Sequence, residues 1–272
     1  MRNTAFRKSA RRLVGSSIAR FVSILLIAFL GAGAFAGLAA ISPNMKRAGD
    51  EYYDRQNVMD VRLLSTYGFS DEDVRAVRAV EGISGVMAGD TVDAAGSVGD
   101  KDYAFRIVSL PGTAGPSSPD SINRLKMIAG RRPKSGGEAV VIRPSIGLKN
   151  IALGSTVSLD KESNGALPDT LKRLSYTVVG VAESPYHLFF LQGSTSVGGG
   201  NIDYILYVPQ SDFTVDGFTE LFATVKGAKE RNAFGDDGYF ALTGSAVDRL
   251  KMLAGKRQTL RRDEFQNDLA DA

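Results

Sequence analysis

The chain has 272 residues with one His and no Cys, so neither a disulfide framework nor the usual Cys/His zinc site is open to it. Its 33 basic and 30 acidic residues give a net charge of +3, but residues 1–47 hold eight of the basic side chains and no acid. The 25 basic and 30 acidic residues that remain make the bulk of the chain mildly acidic, which argues against nucleic acid as a partner.

The feature that organises the sequence is an uncharged apolar segment from Phe21 to Ile41. As a helix it would be ~31 Å long, about the thickness of the hydrocarbon core of a bilayer. Six basic residues precede it and two follow closely, and this bias places the N-terminus in the cytoplasm. We therefore predict a cytoplasmic basic segment (residues 1–20), a single membrane-spanning helix (residues 21–41) in the plasma or inner membrane, and an extracytoplasmic remainder.

The apolar segment has alternative interpretations. Ala34-Phe35-Ala36 resembles a signal-peptidase site, but the segment is longer than the apolar core of a signal peptide, which favours an uncleaved anchor. The basic residues before it could form a nucleic-acid arm, but next to a spanning helix they indicate topology or contact with anionic lipid. Gly33 and Gly37 form a small-xxx-small pair, which is either a helix-packing face or ordinary membrane-helix composition.

The next part of the chain has the pattern of a ferredoxin-like unit. Ser42-Pro43 marks a stop or kink and is followed by a polar helix to Gln56. A helix then starts at the N-cap Ser70, and its three first-turn acids, which could suggest a metal or catalytic cluster, are explained by helix capping. Around this helix, which ends at Gly82, alternation predicts strands at Val58–Ser65, Val86–Ala95 and Tyr103–Leu110. Strand, helix, strand, strand is most of a split βαβ unit.

The segments that follow are short and rich in turns, which predicts a β-rich part. Ser121–Ile128 is either a short helix or extended, and Gln192–Asn201 is either a ligand-binding loop or a hairpin tip, of which we favour the tip. From Ser245 the composition becomes helical and charged, which predicts that residues 245–272 start a helix or a coiled-coil stalk. Strands are expected after Glu138, within Ile151–Leu159, at Tyr176–Ala182, Asp203–Val208 and Leu221–Val225, with a turn at Pro209–Phe213.

One segment resembles a known signature. Gly130-Arg131-Arg132-Pro133 followed by Gly137-Glu138-Ala-Val-Val is similar to the G-R-x-P-x-x-x-x-E pattern of the MacB-like periplasmic core domain of FtsX-like ABC transporter permeases. The order of the later motifs, Gly154-Ser-Thr-Val-Ser-Leu159 and Tyr176-Thr-Val-Val-Gly-Val181, matches as well. The resemblance covers roughly residues 10–245 and makes residues 42–244 the core domain.

The resemblance implies an α+β fold, with one N-terminal transmembrane helix followed by an extracytoplasmic domain that has a ferredoxin-like (split βαβ) part and a β-rich part. It implies a permease subunit that couples ATP hydrolysis by a separate cytoplasmic ABC ATPase to movement of this domain. It also implies a homodimer or paired permease within the lipid bilayer. Family members carry further spanning helices after the outer domain, whereas this sequence has no second apolar run long enough to span. We therefore expect the N-terminal portion of a permease. The alternative is a stand-alone, membrane-anchored binding or sensor module.

The sequence offers no constellation for catalysis. A phosphate-binding G-x-x-x-x-G-K-[ST] loop does not occur, so ATP hydrolysis must come from a partner. His187 could act as a general base, but without a nucleophile motif around it a loop or core role is favoured. We therefore predict a protein that is not an enzyme, with no catalytic, cofactor-binding or metal-binding residues and no cofactor.

Overall fold

The computed structural model describes residues 6–9, 12, 18–110, 118–144, 151–162, 167–187, 193–215 and 217–271. The chain divides into two compact units, Met1–Asp50 and Glu51–Ala272. In chain order the elements are α1 (Ile18–Gln56), β1 (Val61–Phe69), α2 (Asp71–Arg78), β2 (Ile83–Gly89), β3 (Thr91–Val98), β4 (Lys101–Leu110), β5 (Lys126–Gly130), β6 (Glu138–Ile142), β7 (Thr156–Leu159), α3 (Leu167–Thr170), β8 (Ser175–Glu183), β9 (Tyr204–Pro209), a 3₁₀ turn (Gln210–Asp212), β10 (Phe218–Val225) and α4 (Asp237–Asp271).

Helix α1 contains the predicted spanning segment and has no buried residue. Its most apolar window has a mean hydropathy of 2.4, and it is the one helix in the described part of the chain that is long and apolar enough to cross a membrane. Of the stop or kink predicted at Ser42-Pro43, the stop is wrong, because the helix continues through Pro43 to Gln56. Proline removes one backbone N–H donor, and here the flanking turns keep their helical geometry.

The first sheet of the folded unit is the predicted split βαβ unit with a different third strand. Its order is β1-β10-β2, and β10 runs antiparallel to both neighbours. The strand predicted at Tyr103–Leu110 exists as β4 but lies in the other sheet. β10 takes its place, since the pairing of strands distant in sequence is set by tertiary packing and leaves little local signal.

Helices α2 and α4 cover one face of this sheet. Val77 of α2 and Leu250 of α4 are buried together with Val86 and Leu221 from the strands, which forms one core. Arg249 donates to the carbonyl of Glu81 just past the end of α2, whereas Arg257 binds Asp73 at its start. The two helices are therefore antiparallel, and α4 begins earlier than the Ser245 predicted from composition.

The second sheet is a closed barrel, which forms the β-rich part. The strand order β8-β6-β9-β4-β3-β7 returns to β8, so six strands close the ring. The first residues of β8 pair with β7, whereas its last residues pair with β5. The interior is filled by alternate side chains of these strands, including Phe105, Ile107, Val141, Tyr176 and Leu206. The predicted α+β fold class with these two parts is confirmed.

Asp90 marks the crossing between the two sheets. The strand predicted at Val86–Ala95 is in fact two strands, because Asp90 interrupts the ladder between β2 and β3. Its carboxylate accepts hydrogen bonds from the backbone N–H of Thr219 (3.1 Å) and from Gln210 Nε2 (2.5 Å). Its backbone N–H donates to the Ser109 hydroxyl at 2.8 Å. Asp90 is 1% exposed, so these bonds satisfy a buried carboxylate at the point where the chain passes from the first sheet (β2) to the second (β3).

Candidate functional site

The end of helix α1 is built into the folded unit through Asn57. The backbone N–H of Asn57 donates to Asp54 and that of Val58 donates to Tyr53, which is the Schellman arrangement. Asn57 has φ +49°, the left-handed conformation that this motif requires at its first residue beyond the cap. Asparagine is one of the few residues other than glycine that adopt this conformation readily.

Asn57 is joined to a second asparagine, Asn123, which also has a positive φ, +51°. The Asn123 N–H donates to the Asn57 carbonyl (2.9 Å), and the Asn123 side-chain oxygen accepts from the Met59 N–H (3.1 Å). Asn57 Nδ2 donates to the carbonyls of Pro119 and Ser121, at 3.1 and 2.9 Å. Both asparagines are buried, so the helix end and residues 119–123 form one hydrogen-bonded block, which we name the Asn57–Asn123 junction.

Further contacts attach the last turn of α1 to the domain. The free carbonyl of Gln56 accepts the Arg124 N–H at 2.9 Å, which satisfies one of the unpaired groups at a helix end. The ring of Tyr53 lies 5.1 Å from that of Phe234, just before α4. The helix end therefore contacts the segments that lead into both β5 and α4.

The residues of the family signature form a closed loop between β5 and β6. Arg131 binds Glu138 through two nitrogens, at 2.7 and 2.5 Å, and Glu138 also accepts the Lys134 N–H at 2.7 Å. Gly137 donates its N–H to Asp212 at 2.9 Å. The Arg131–Glu138 pair thus closes the loop on itself, which is a structural role.

Glu138 makes the loop sensitive to acid. Hydrogen bonding from Arg131, then from the Lys134 N–H, lowers the pKa of Glu138 from 4.5 to about 2. A group whose pKa is depressed on folding contributes stability that is present above its unfolded pKa and is lost as the pH falls toward the folded value. The Glu138 contribution should therefore be complete at neutral pH and disappear between about pH 4.5 and pH 2.

Replacement of Glu138 by Gln should remove this part of the acid sensitivity. Between about pH 5 and pH 2.5 the wild-type protein should lose more free energy of unfolding than Glu138→Gln, because only the wild type has a carboxylate to protonate at this position. The measurement is the urea midpoint across the pH series. The double variant should behave like Glu138→Gln, whereas Arg131→Met should keep the smaller part of the acid sensitivity, because the Lys134 N–H still donates to Glu138. Equal acid sensitivity in wild type and all three variants would contradict this assignment.

The start of helix α2 is linked to α4 by Asp73. Ser70 is the N-cap, as predicted, and it forms a capping box with Asp73, which also accepts from Arg257 Nε at 2.6 Å. Burial raises the pKa of Asp73, but the hydrogen bonds from Ser70 and Arg257 outweigh this, so the net pKa is lowered. Capping therefore accounts for the acidic first turn, and the carboxylate in addition holds α4 in place.

Asp73→Asn should destabilise the domain by about 2 kcal/mol, since it leaves Arg257 without its close partner in a largely buried setting. Glu72→Gln is the matched control on the same turn. Glu72 is 60% exposed and lies 3.4 Å from the same arginine, so its loss should cost under about 0.5 kcal/mol. Urea unfolding at neutral pH measures both, and equal effects would show that burial of Asp73 does not matter.

His187 is placed against aromatic rings. Its ring centroid is 4.5 Å from that of Tyr186 and 6.1 Å from that of Tyr207. Burial, reinforced by the charges of Arg106 and Arg62, lowers its pKa to about 3. A neutral imidazole with so low a pKa is a poor general base at neutral pH, which agrees with the loop or core role predicted for it.

The glycine-rich loop is a hairpin tip in its described part, residues 193–201. Ser194 and Asn201 form an antiparallel bridge across its base, and Thr195 N–H donates to the Gly200 carbonyl. The beginning of the predicted segment, Gln192, lies outside the described residues.

Gly33 and Gly37, the predicted small-xxx-small pair, lie on α1 with open space around them. Within the described ranges, no three His, Cys, Asp or Glu side chains lie close enough together to hold a metal ion.

A small cavity lies where the two sheets meet. It is lined by Met87 and Phe222 from the first sheet, by Val108 and Tyr207 from the barrel, and by Asn123 from the junction. Its volume is about 40 Å³, whereas sites for drug-sized molecules are about 300–1,000 Å³. This cavity is therefore too small for a small-molecule substrate.

An apolar N-terminal helix followed by a two-part α+β domain is the layout of a membrane-anchored module. Residues 21–238 match the family model of the MacB-like periplasmic core domain, and the chain belongs to that family. The predicted resemblance is thereby confirmed, and the family is that of the outer domain of ABC transporter permeases, which is generally not an enzyme.

The solved structures that the chain resembles include two extracytoplasmic domains of transporters. The extracellular domain of the noncanonic ABC-type transporter YknZ from Gram-positive bacteria is 14% identical over 66% of this chain and 86% of that one, with a TM-score of 0.38. The periplasmic region of MacB from Actinobacillus actinomycetemcomitans is 15% identical over 71% of this chain and 76% of that one, also with a TM-score of 0.38. Comparison with curated proteins finds no matching sequence.

The Asn57–Asn123 junction is the feature that the sequence analysis missed. One signal was present in the sequence, since an asparagine directly after a polar helical stretch is a frequent C-terminal cap. Nothing local indicates that Asn123, 66 positions later, closes the same block.

Proposed function

We propose that this chain belongs to the permease subunit of an FtsX- or MacB-type ABC transporter, in which a separate cytoplasmic ATPase drives movement of the extracytoplasmic domain. The observation that supports it is the Asn57–Asn123 junction. A force that reaches the end of α1 would pass into the domain through the hydrogen bonds of two buried asparagines, without a flexible linker, because the chain turns directly from Gln56 into the junction.

The proposal assigns a role to each part of the chain. Residues 1–20 lie in the cytoplasm, residues 21–41 cross the bilayer, residues 42–244 form the outer domain and residues 245–272 begin a stalk. The charge bias around the apolar segment supports this orientation. The functional permease is a homodimer or a pair of related subunits, as the family implies, and nucleic acid is not a partner.

The absence of cysteine from the chain allows orientation to be tested with single introduced thiols. Asp100→Cys lies at the exposed turn between β3 and β4, and Ser9→Cys lies in the basic N-terminal segment. A membrane-impermeant maleimide added to intact cells should label Asp100→Cys, whereas Ser9→Cys should react only after permeabilisation. The reverse pattern would overturn the orientation.

Coupling is tested by hydrogen exchange in proteoliposomes that contain the full permease and its ATPase. Vanadate trapping of the ATPase should change amide exchange in residues 118–125, which include residues 119–123 of the junction. A variant ATPase that binds ATP without hydrolysing it is the control. Association of no ATPase with the chain, or ATP turnover that leaves exchange of the outer domain unchanged, would favour a stand-alone binding or sensor module.

A further inference from the structure

Positive charge is concentrated in one segment of an otherwise acidic domain. Residues 124–143 hold six basic side chains and one acid. The rest of the chain beyond residue 47 then has 19 basic and 29 acidic residues. Such local asymmetry attracts an anionic partner, whatever the net charge of the whole chain.

Most of these basic side chains lie on strand β5 and in the loop that follows it. Lys126 and Arg143 share one partner, Glu183, and Arg131 is paired with Glu138. Arg132 and Lys134 are exposed and form no ion pair with any described residue. The positive charge of this surface therefore exceeds what its own acids neutralise.

β5 is also the last strand of the sheet in the described part of the chain. It pairs with β8 on one side only. Four of its five residues are exposed, including Ile128 at 44%. A strand in this position presents backbone donors and acceptors that another extended chain can use.

The two edge strands of the first sheet, β1 and β2, differ from β5. The edge of β2 is closed, because Asp120 accepts the Val86 N–H at 3.0 Å and the Pro119 carbonyl lies against Gly85. β1 also ends its sheet, but its arginine, Arg62, is neutralised by the buried Glu220 at 2.6 Å. β5 thus combines an open edge with unneutralised positive charge.

Charged residues and a bulge can instead serve to block an edge against aggregation, and β5 has a bulge at Ile128. A blocking charge, however, is most effective in the middle of the strand. Here the middle, Met127-Ile128-Ala129, is uncharged, and the basic side chains stand at the two ends. This arrangement leaves the backbone accessible between two positively charged positions.

We propose that the outer edge of β5 binds an extended acidic segment of a partner protein by strand addition. Backbone hydrogen bonds to β5 supply the pairing, Ile128 supplies an apolar contact, and Arg132 and Lys134 select carboxylates. An anionic lipid surface would use the same charges but has no use for the backbone groups of an open strand, so a protein segment fits better. Strand addition here requires neither an ATPase nor transport.

The test uses the full chain in nanodiscs of neutral lipid and a labelled peptide of about ten residues with alternating Glu and Val. Fluorescence anisotropy measures binding, and hydrogen exchange locates it. The peptide should bind in a salt-sensitive way and protect the amides of residues 126–130. A Lys–Val peptide of equal length should not bind, and a peptide with all Glu before all Val should bind more weakly.

Reversing the charge of basic residues distinguishes binding at the β5 edge from nonspecific electrostatic attraction to the domain. Arg132→Glu/Lys134→Glu should weaken binding of the Glu–Val peptide by roughly tenfold or more. Lys251→Glu/Lys256→Glu on the exposed surface of α4 changes the net charge equally and should leave binding within about twofold. The proposal is wrong if the Glu–Val peptide binds no better than the Lys–Val peptide, or if protection falls outside β5. It is also wrong if vesicles of phosphatidylglycerol bind this surface while the peptide leaves β5 exchange unchanged.

Discussion

Replacing Gly130 by alanine is expected to destabilise the outer domain by about 2–4 kcal/mol. Gly130 has φ +70°, where any side chain is strained, and a Cβ built there would lie 2.2 Å from the carbonyl oxygen of Val179. That oxygen belongs to β8 and accepts the Arg131 N–H at 3.0 Å, so it cannot retreat without loss of a backbone bond. The cost therefore combines backbone strain with a collision between two strands.

Gly154 offers a matched control for the Gly130 substitution. Its φ is +85°, similarly unfavourable for alanine, but a Cβ there would meet nothing within 4 Å. Gly154→Ala should therefore cost only about 1–2 kcal/mol, the strain alone. Urea unfolding of the full chain in nanodiscs, followed by the near-ultraviolet signal of tyrosine, measures both. Equal losses for the two variants would show that contact with Val179 contributes nothing, and that β5 adjusts freely.

The contrast between these two glycines shows what sequence can and cannot provide. Both stand in motifs that carry the family resemblance, and glycine at a turn predicts a left-handed conformation in each case. The close approach of β8 to Gly130 is invisible locally, because Val179 is distant along the chain. The resemblance supplied the order of the motifs, and the structure shows why one glycine has less freedom than the other.

Local chemistry predicted the start of α2 well. Ser70 followed by three acids is a capping pattern that needs no tertiary information, and the structure has the capping box. Asp90 and β10 carry no such local signal. In the sequence, a buried aspartate at which the chain passes from one sheet to the next cannot be told from an ordinary polar residue within a strand. The third strand of the split βαβ unit comes from residues 218–225, more than 100 positions after the strands beside it.

Pro43 is a second position where the local sequence does not determine the structure. Pro43 is a strong local signal for a helix end, yet α1 runs through it to Gln56. The cost of an internal proline is about 3 kcal/mol, which the long helical segments on either side can outweigh. The true end is encoded by Asn57, whose left-handed conformation is stabilised by partners that the local sequence does not reveal.

Asn57→Ala should destabilise the domain by about 2–4 kcal/mol. It removes both side-chain donors to the carbonyls of Pro119 and Ser121, two partly buried hydrogen bonds, and it places alanine at φ +49°. Asn57→Gly keeps the backbone conformation without strain but loses the same two side-chain bonds. The difference between the two variants should therefore be about 1 kcal/mol, and their shared loss measures the hydrogen bonds.

The same pair of variants separates stability from transmission of force. If the junction carries motion from α1 into the domain, Asn57→Gly should uncouple ATP turnover from exchange in residues 118–125 while most of the domain stays folded, because glycine adds backbone freedom where rigid contact is required. Surface substitution Asp100→Asn, remote from the junction in sequence and exposed, is the control for folding and assembly. An Asn57→Gly permease that transmits ATP-driven changes as fully as wild type would mean that force enters the domain by a route other than the end of α1.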